Sequence, residues 1–184
     1  MQFLSVLARE QRLIGETLGV LARADVLLTA GRDVPADILT GSLRFLDVYA
    51  GACHRTKEEH VLFPLLSQLD IGPDHVFMNA LLAQHRSEQM YLARLHRATA
   101  ALAAGDHAVI PGLAADLRAY VELMREHIRI EAAFFDAATR GRISEMDDRT
   151  IVSRFEAIDR RTCPPATQAR FVETLAHYRR RLGV

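Results

Sequence analysis

No excess of charge of either sign marks this chain of 184 residues, in which 23 basic side chains face 23 acidic ones. That balance removes the electrostatic case for nucleic acid or an anionic membrane as the main partner, because both recruit basic surfaces. Arg179-Arg180-Arg181 forms a small basic tip at a predicted helix end, where cations complement the helix dipole. Cysteine is scarce too. Cys53 and Cys163 lie far apart and form no CxxC pair, which speaks against a disulfide framework and for a reducing compartment. No apolar run is long enough to span a bilayer, and no basic segment followed by an apolar run and cleavage site opens the chain. Repeats and low-complexity segments are missing, and no stretch alternates convincingly over strand length. The expectation is a soluble cytoplasmic protein, with no nucleic-acid or membrane partner and enough length to bury a sizeable core.

What the chain has is helical periodicity almost throughout, in a composition that is 49% hydrophobic. Residues 3 to about 30 read as a first helix, with Leu4, Leu7, Ile14, Leu18, Leu21 and Leu28 on an apolar face. "GRDVPAD" breaks it, Gly31 suiting a C-terminal cap and Pro35 a helix start. A second helix runs from about 36 to the mid-60s, and "SQLDIGPDH" is a turn-rich connector. The third covers roughly 75 to 104, and the fourth about 107 to 139, with Pro111 in its opening turn. Shorter helices follow near 144 to 160 and 165 to 182, separated by "TCPP". Four long helices on short connectors predict an all-α, up-down-up-down four-helix bundle. Residues 1–141 are expected to form the bundle, and residues 142–184 two further helices packed on it, with room for a homodimer contact.

Two of the eight histidines have glutamate four positions later: His54 with Glu58 in "CHRTKEEHVLFP", and His127 with Glu131 in "MREHIRIEAAFF". Residues four apart project from one helix face, about 6 Å apart along the axis, so both can reach one metal cluster. Depth strengthens the case. His54 and His127 each lie about 18 residues into their helices, while Gln11 and His85 each precede a helix end by about 19, so all four fall in one layer of an up-down bundle. His75, His96, His107 and His177 have no such partner and read as surface residues. Glu59 and His60 face another side, where they are solvated or pair helices. Cys53 points about 100° away from His54 and reads as a buried thiol. "VLFP" and "AAFF" read as apolar caps beyond each HxxxE, and Tyr49 and Tyr91 as side chains within reach of the cluster.

With "LLAQHRSEQMYLARL" on the third helix, these motifs resemble the hemerythrin-like (HHE cation-binding) family over nearly the whole chain. That family places histidine on the first helix, HxxxE on the second, histidine on the third and HxxxE or HxxxxD on the fourth. The resemblance implies non-haem iron in a water-poor bundle core. Glu58 and Glu131 would bridge two irons, His85 and His127 would hold one, and His54 the other. The paired ExxH motifs of ferritin-like di-iron proteins and the HExxH of zinc proteases are absent.

Two departures stand out. Gln11 occupies the first-helix histidine position, where an amide oxygen would be a weak ligand, and Glu10 and Glu16 replace it only if the helix is rotated. Gln89 stands where oxygen-carrying hemerythrins have a second third-helix histidine. One iron, two irons or another divalent metal all remain open. The resemblance implies binding or sensing of oxygen, nitric oxide or redox state, or iron handling. A di-iron oxidoreductase acting on oxygen or peroxide, and a regulatory interaction protein with a degenerate site, are the alternatives.

Overall fold

In the computed structural model, which describes residues 1–69 and 74–184 with the side chains of 74–76 set apart, helices account for nearly the whole chain. Residues 70–73 of the predicted connector, and the surface reading of His75, lie outside the described residues. Helix α1 spans Gln2–Thr29. Helix α2 spans 36–68, beginning with the α-helical Ala36–Phe45 and ending with Phe63–Gln68. Helix α3 is Asp74–Ala103, α4 is Ile110–Thr139 after a 3-10 turn at His107–Val109, α5 is Glu145–Thr162 and α6 is Pro165–Leu182.

The ends of these helices follow from local chemistry. At the close of α1, Arg32 N–H bonds Leu27 O and Gly31 N–H bonds Leu28 O, a Schellman closure that needs the left-handed φ of +68° found at Gly31. Ser144 and Asp147 exchange hydrogen bonds as a capping box at the start of α5. One turn into the same helix, the Asp148 carboxylate accepts from the Gln2 and Phe3 amides, so α5 caps the orphan donors of α1.

Cross-helix pairs set the direction of each neighbour. Between α2 and α3, Asp47 meets His96, Arg55 meets Glu88 and Glu59 meets His85. Between α3 and α4, Gln84 meets His127, Glu88 meets Tyr120 and Arg94 meets Asp116. Between α1 and α4, Gln11 meets Glu131 and Asp25 meets Arg118. In every series one number rises as the other falls, so successive helices run antiparallel around the bundle.

Helix α5 lies on α1 and the middle of α2, and α6 on α1 and the start of α2. Phe171 of α6 meets Phe45 edge-on, with ring centroids 5.1 Å apart. Tyr178 lies so close to Gly41 that a Cβ there would collide with the phenol. The arginine tip does more than complement a dipole, since Arg179 pairs with Glu16 at 3.2 Å and Arg181 with Asp37 at 2.5 Å.

The buried apolar residues do not form one mass. One cluster gathers Leu18, Leu21, Leu43, Leu95, Leu117 and Tyr120 with their neighbours, and the other Phe3, Leu7, Leu62, Phe63, Leu81, Phe135 and Phe155 with theirs. "VLFP" and "AAFF" supply Val61, Leu62, Phe63 and Phe135 to the second cluster, as their position beyond each HxxxE predicts. Between the clusters lies a buried slab of polar side chains.

Candidate metal centre

Each of the four bundle helices contributes to that slab. Helix α2 reaches it through two π-helical stretches, Leu46–Arg55 and Glu58–Leu62, which periodicity did not foretell. Such wide turns recur at functional sites, because they re-aim side chains. Here they leave Cys53, His54, Lys57 and Glu58 all buried, where an amphipathic helix would spend one stripe on apolar residues. Gln11, His54, His85 and His127 meet in one layer, as the depth argument requires.

The inward atoms converge. Glu58 turns Oε2 to His85 Nε2 at 3.4 Å and Oε1 to His54 Nε2 at 3.0 Å. Glu131 turns Oε1 to His127 Nε2 at 3.5 Å and Oε2 to His54 Nε2 at 3.8 Å. The Gln11 amide nitrogen donates to the same Glu131 Oε2 at 3.3 Å. Each carboxylate therefore offers one oxygen to the His85/His127 half and the other to the His54/Gln11 half. Glu58, His85, His127 and Glu131 are brought within mutual ligating reach, with Glu58 and Glu131 fully buried and both histidines 3% exposed.

Behind every imidazole stands an acceptor. Glu10 Oε2 holds His54 Nδ1 at 2.9 Å, Glu59 Oε1 holds His85 Nδ1 at 2.6 Å, and Gln84 Oε1 holds His127 Nδ1 at 2.8 Å. An ionised carboxylate or amide oxygen can only accept, so Nδ1 carries a proton in each ring and Nε2 is the nitrogen turned inward. This is the outer support that ligating imidazoles characteristically have. It also brings the Nε2 atoms of His85 and His127 within 3.2 Å of each other, an arrangement that needs a cation or proton between the lone pairs.

The slab tests its own fitness for a cation. Among the described residues six buried side-chain N and O atoms lack a hydrogen-bond partner, and four of them are His54 Nε2, both oxygens of Glu58 and Glu131 Oε1. Buried polar atoms are seldom left so, and four of them in one layer of carboxylates and imidazoles suit a cation. Two carboxylates and three imidazoles form a donor set suited to iron or zinc rather than calcium or magnesium.

Proton affinities tell the same story. Burial pushes the Glu131 carboxyl up to about 8, and the charge of Glu58 beside it pushes the same way. Burial works against the charge of Glu58, but the neighbouring His54 charge and the close imidazoles of His54 and His85 hold it well below the ordinary carboxylate range. Burial likewise opposes the His54 imidazolium, yet Glu58 and the hydrogen bonds of Glu10 and Glu131 raise its pKa well above normal. Burial drags His127 down to about 4, in spite of Glu58. Without a metal at neutral pH, Glu58 is ionised, Glu131 mostly protonated and His54 charged.

Several expectations change at this point. Gln89 is exposed, so the position four after His85 does not face the centre, whereas Glu88 is buried and accepts from Arg55 at 2.9 Å. Glu59 pairs helices, as one of its two readings had it, and does so by holding a ring of the centre. Glu10 is buried but backs His54 from outside the layer, and Glu16 pairs with Arg179, so neither replaces Gln11 as a ligand. Tyr49 stacks on Phe45, and Tyr91 lies under Arg94. The backing roles of Glu10, Glu59 and Gln84 left no periodic trace, each being merely adjacent in sequence to a residue of the layer. His107 and His177 are exposed, and His96 pairs with Asp47 at the surface.

Comparison with known proteins identifies the family. The hemerythrin HHE cation binding domain matches residues 3–138. Uncharacterized proteins of Mycobacterium tuberculosis and Mycobacterium bovis are each 26% identical to the chain over 178 residues, covering 97% of it and 69% of their own length. No solved structure matches the chain.

Proposed function

Because the chain belongs to the hemerythrin HHE cation-binding family, we propose that its polar slab is a non-haem iron centre that binds or senses oxygen, nitric oxide or redox state, or handles iron. The observation that carries this reading is a set of four buried polar atoms without hydrogen-bond partners in one layer with two carboxylates and three imidazoles. Iron held there would supply a redox-active Lewis acid open to a small ligand.

In this proposal His85 and His127 hold the first cation with Glu58 and Glu131, and their rings are kept in place by Glu59 and Gln84. The apolar clusters above and below exclude bulk water. Charge favours one divalent cation first, since two ionised carboxylates balance it once Glu131 gives up its proton. A second iron on the His54 side would find Glu58, Glu131 and His54, while Gln11 faces Glu131 as a donor. That poorer half leaves ligand positions free and favours, as a second reading, reaction with oxygen or peroxide over reversible carriage.

Metal analysis after anaerobic iron loading, followed by an optical spectrum under oxygen, tests the proposal. Bound iron that is lost in Glu58→Ala and in His127→Ala is expected. A folded protein that takes up no iron would refute it. Peroxide consumption that depends on bound iron and vanishes in Glu58→Ala would favour the second reading.

A further inference from the structure

We infer that helix α5, which lies beyond the family-matched segment, is built into the centre through Asp159, a positioning residue that holds His54 by way of Lys57 and Glu10. Lys57 is the only lysine of the chain, every other basic residue counted with it being arginine, and it is fully buried. Its ammonium donates to Glu10 Oε1 and, at 2.6 Å, to Asp159 Oδ1, and lies 5.5 Å from the centroid of the Phe155 ring. Glu10 uses its other oxygen to accept from His54 Nδ1 at 2.9 Å. Four side chains from three helices thus run unbroken from α5 to the metal-facing ring.

Residue type and placement both fit this role. A compact ammonium with three donors suits the gap between two carboxylates, whereas the longer planar fork of arginine would not. Phe155 and Asp159 are four apart on α5, so one face delivers the aromatic surface and the countercharge together. Cys53, one turn before Lys57 on α2, donates its thiol to the same Asp159 oxygen and steadies it. Glu10, Cys53 and Asp159 also lie close enough to suggest a second metal site, but Lys57 already supplies the cation there. A charged lysine cannot ligate, and a buried one cannot meet a partner. Its contacts leave it one use, which is to hold Glu10 against His54 under the control of Asp159.

This inference rests on the metal-centre reading for its consequence, though not for its geometry. The full chain is compared with Asp159→Ala and with the isosteric Asp159→Asn, which keeps the shape and removes the charge. In metal-free protein, the side-chain ¹⁵N resonances of His54 should shift while those of His85 and His127 stay in place. Iron affinity should fall about 10-fold, the lower end of the effect of losing a partner of a ligating histidine. Should Asp159→Ala fail to fold by circular dichroism, Asp159→Asn decides. Unchanged His54 resonances in a folded variant, or equal shifts at all three histidines, would overturn the inference by making Asp159 a packing residue. A wild-type chain that binds no iron, but whose His54 alone responds to Asp159→Asn, would reject the metal reading and leave the relay standing.

Discussion

Metal binding at this centre should exchange protons for the cation, and the number can be worked from the structure. With burial holding the Glu131 carboxyl at about 8, that group is mostly protonated at pH 7. His54, raised well above its ordinary value by Glu58 and its hydrogen bonds against the cost of burial, carries a second proton. Glu58 is already ionised and His127 already neutral, so neither contributes. Ligation by Glu58, His85, His127 and Glu131 requires both carboxylates ionised and those two imidazole lone pairs free. The first divalent cation should therefore release about one proton per chain at pH 7, from Glu131, while the His54 proton leaves only with a second cation. Any proton on His85, whose pKa is also raised by Glu58 and Glu59 against burial, would add to that number. Calorimetric titration of metal into metal-free protein, repeated in buffers of different ionisation enthalpy, counts them. Release should drop by about one proton near pH 9, once Glu131 has titrated, and metal affinity should climb as pH rises from 6 to 8. No proton released at pH 7 would refute the reasoning, because the layer would then hold its charge some other way.

Three more outcomes are expected. The metal-free protein should lose stability as pH rises from 6.5 to about 8, on the order of 2 kcal/mol, because the native state keeps protons on Glu131 and His54 that the unfolded chain gives up. Below pH 6.5 the sign of the His127 contribution is opposite, since its folded value near 4 makes protonation of the unfolded chain destabilising, so the two slopes offset. Thermal melting across that range should show the alkaline fall only without metal. Gln11→His should raise metal bound per chain or tighten the second equivalent, since position 11 is buried and 3.3 Å from Glu131, and unchanged stoichiometry by elemental analysis would count against it. Gly41→Ala should displace Tyr178 and cost about 1–3 kcal/mol in chemical denaturation.

The bundle was legible because its signals are local: Gly31, Pro35 and the "TCPP" break stop and start helices by backbone rules that need no partner. That Gln11, His54, His85 and His127 share one layer was legible for a related reason, since helix length converts a residue count into depth. What resisted reading was anything set by azimuth. Gln89 looked aligned with His85 by spacing, yet it faces solvent while Glu88 turns inward. The π turns of α2 shift the face beyond them, and no periodicity of apolar residues announces that. Asp159 is more than a hundred positions from Cys53, and only the packing of α5 onto α2 brings them together. The solitary lysine in an arginine-rich chain was a usable signal for a site that wants a point charge.

The division of the apolar interior into two clusters bears on how the molecule comes apart. Neither cluster touches the other through a continuous greasy wall, so without a cation the plane of carboxylates and imidazoles is where cohesion is weakest. Thermal agitation should part the molecule there first, with amides flanking His54 and His127 exchanging before those beside Leu21 or Leu117. A bound metal would join α2, α3 and α4 at that seam, turning two loosely coupled halves into one cooperative body. Cargo and keystone would then be the same ion.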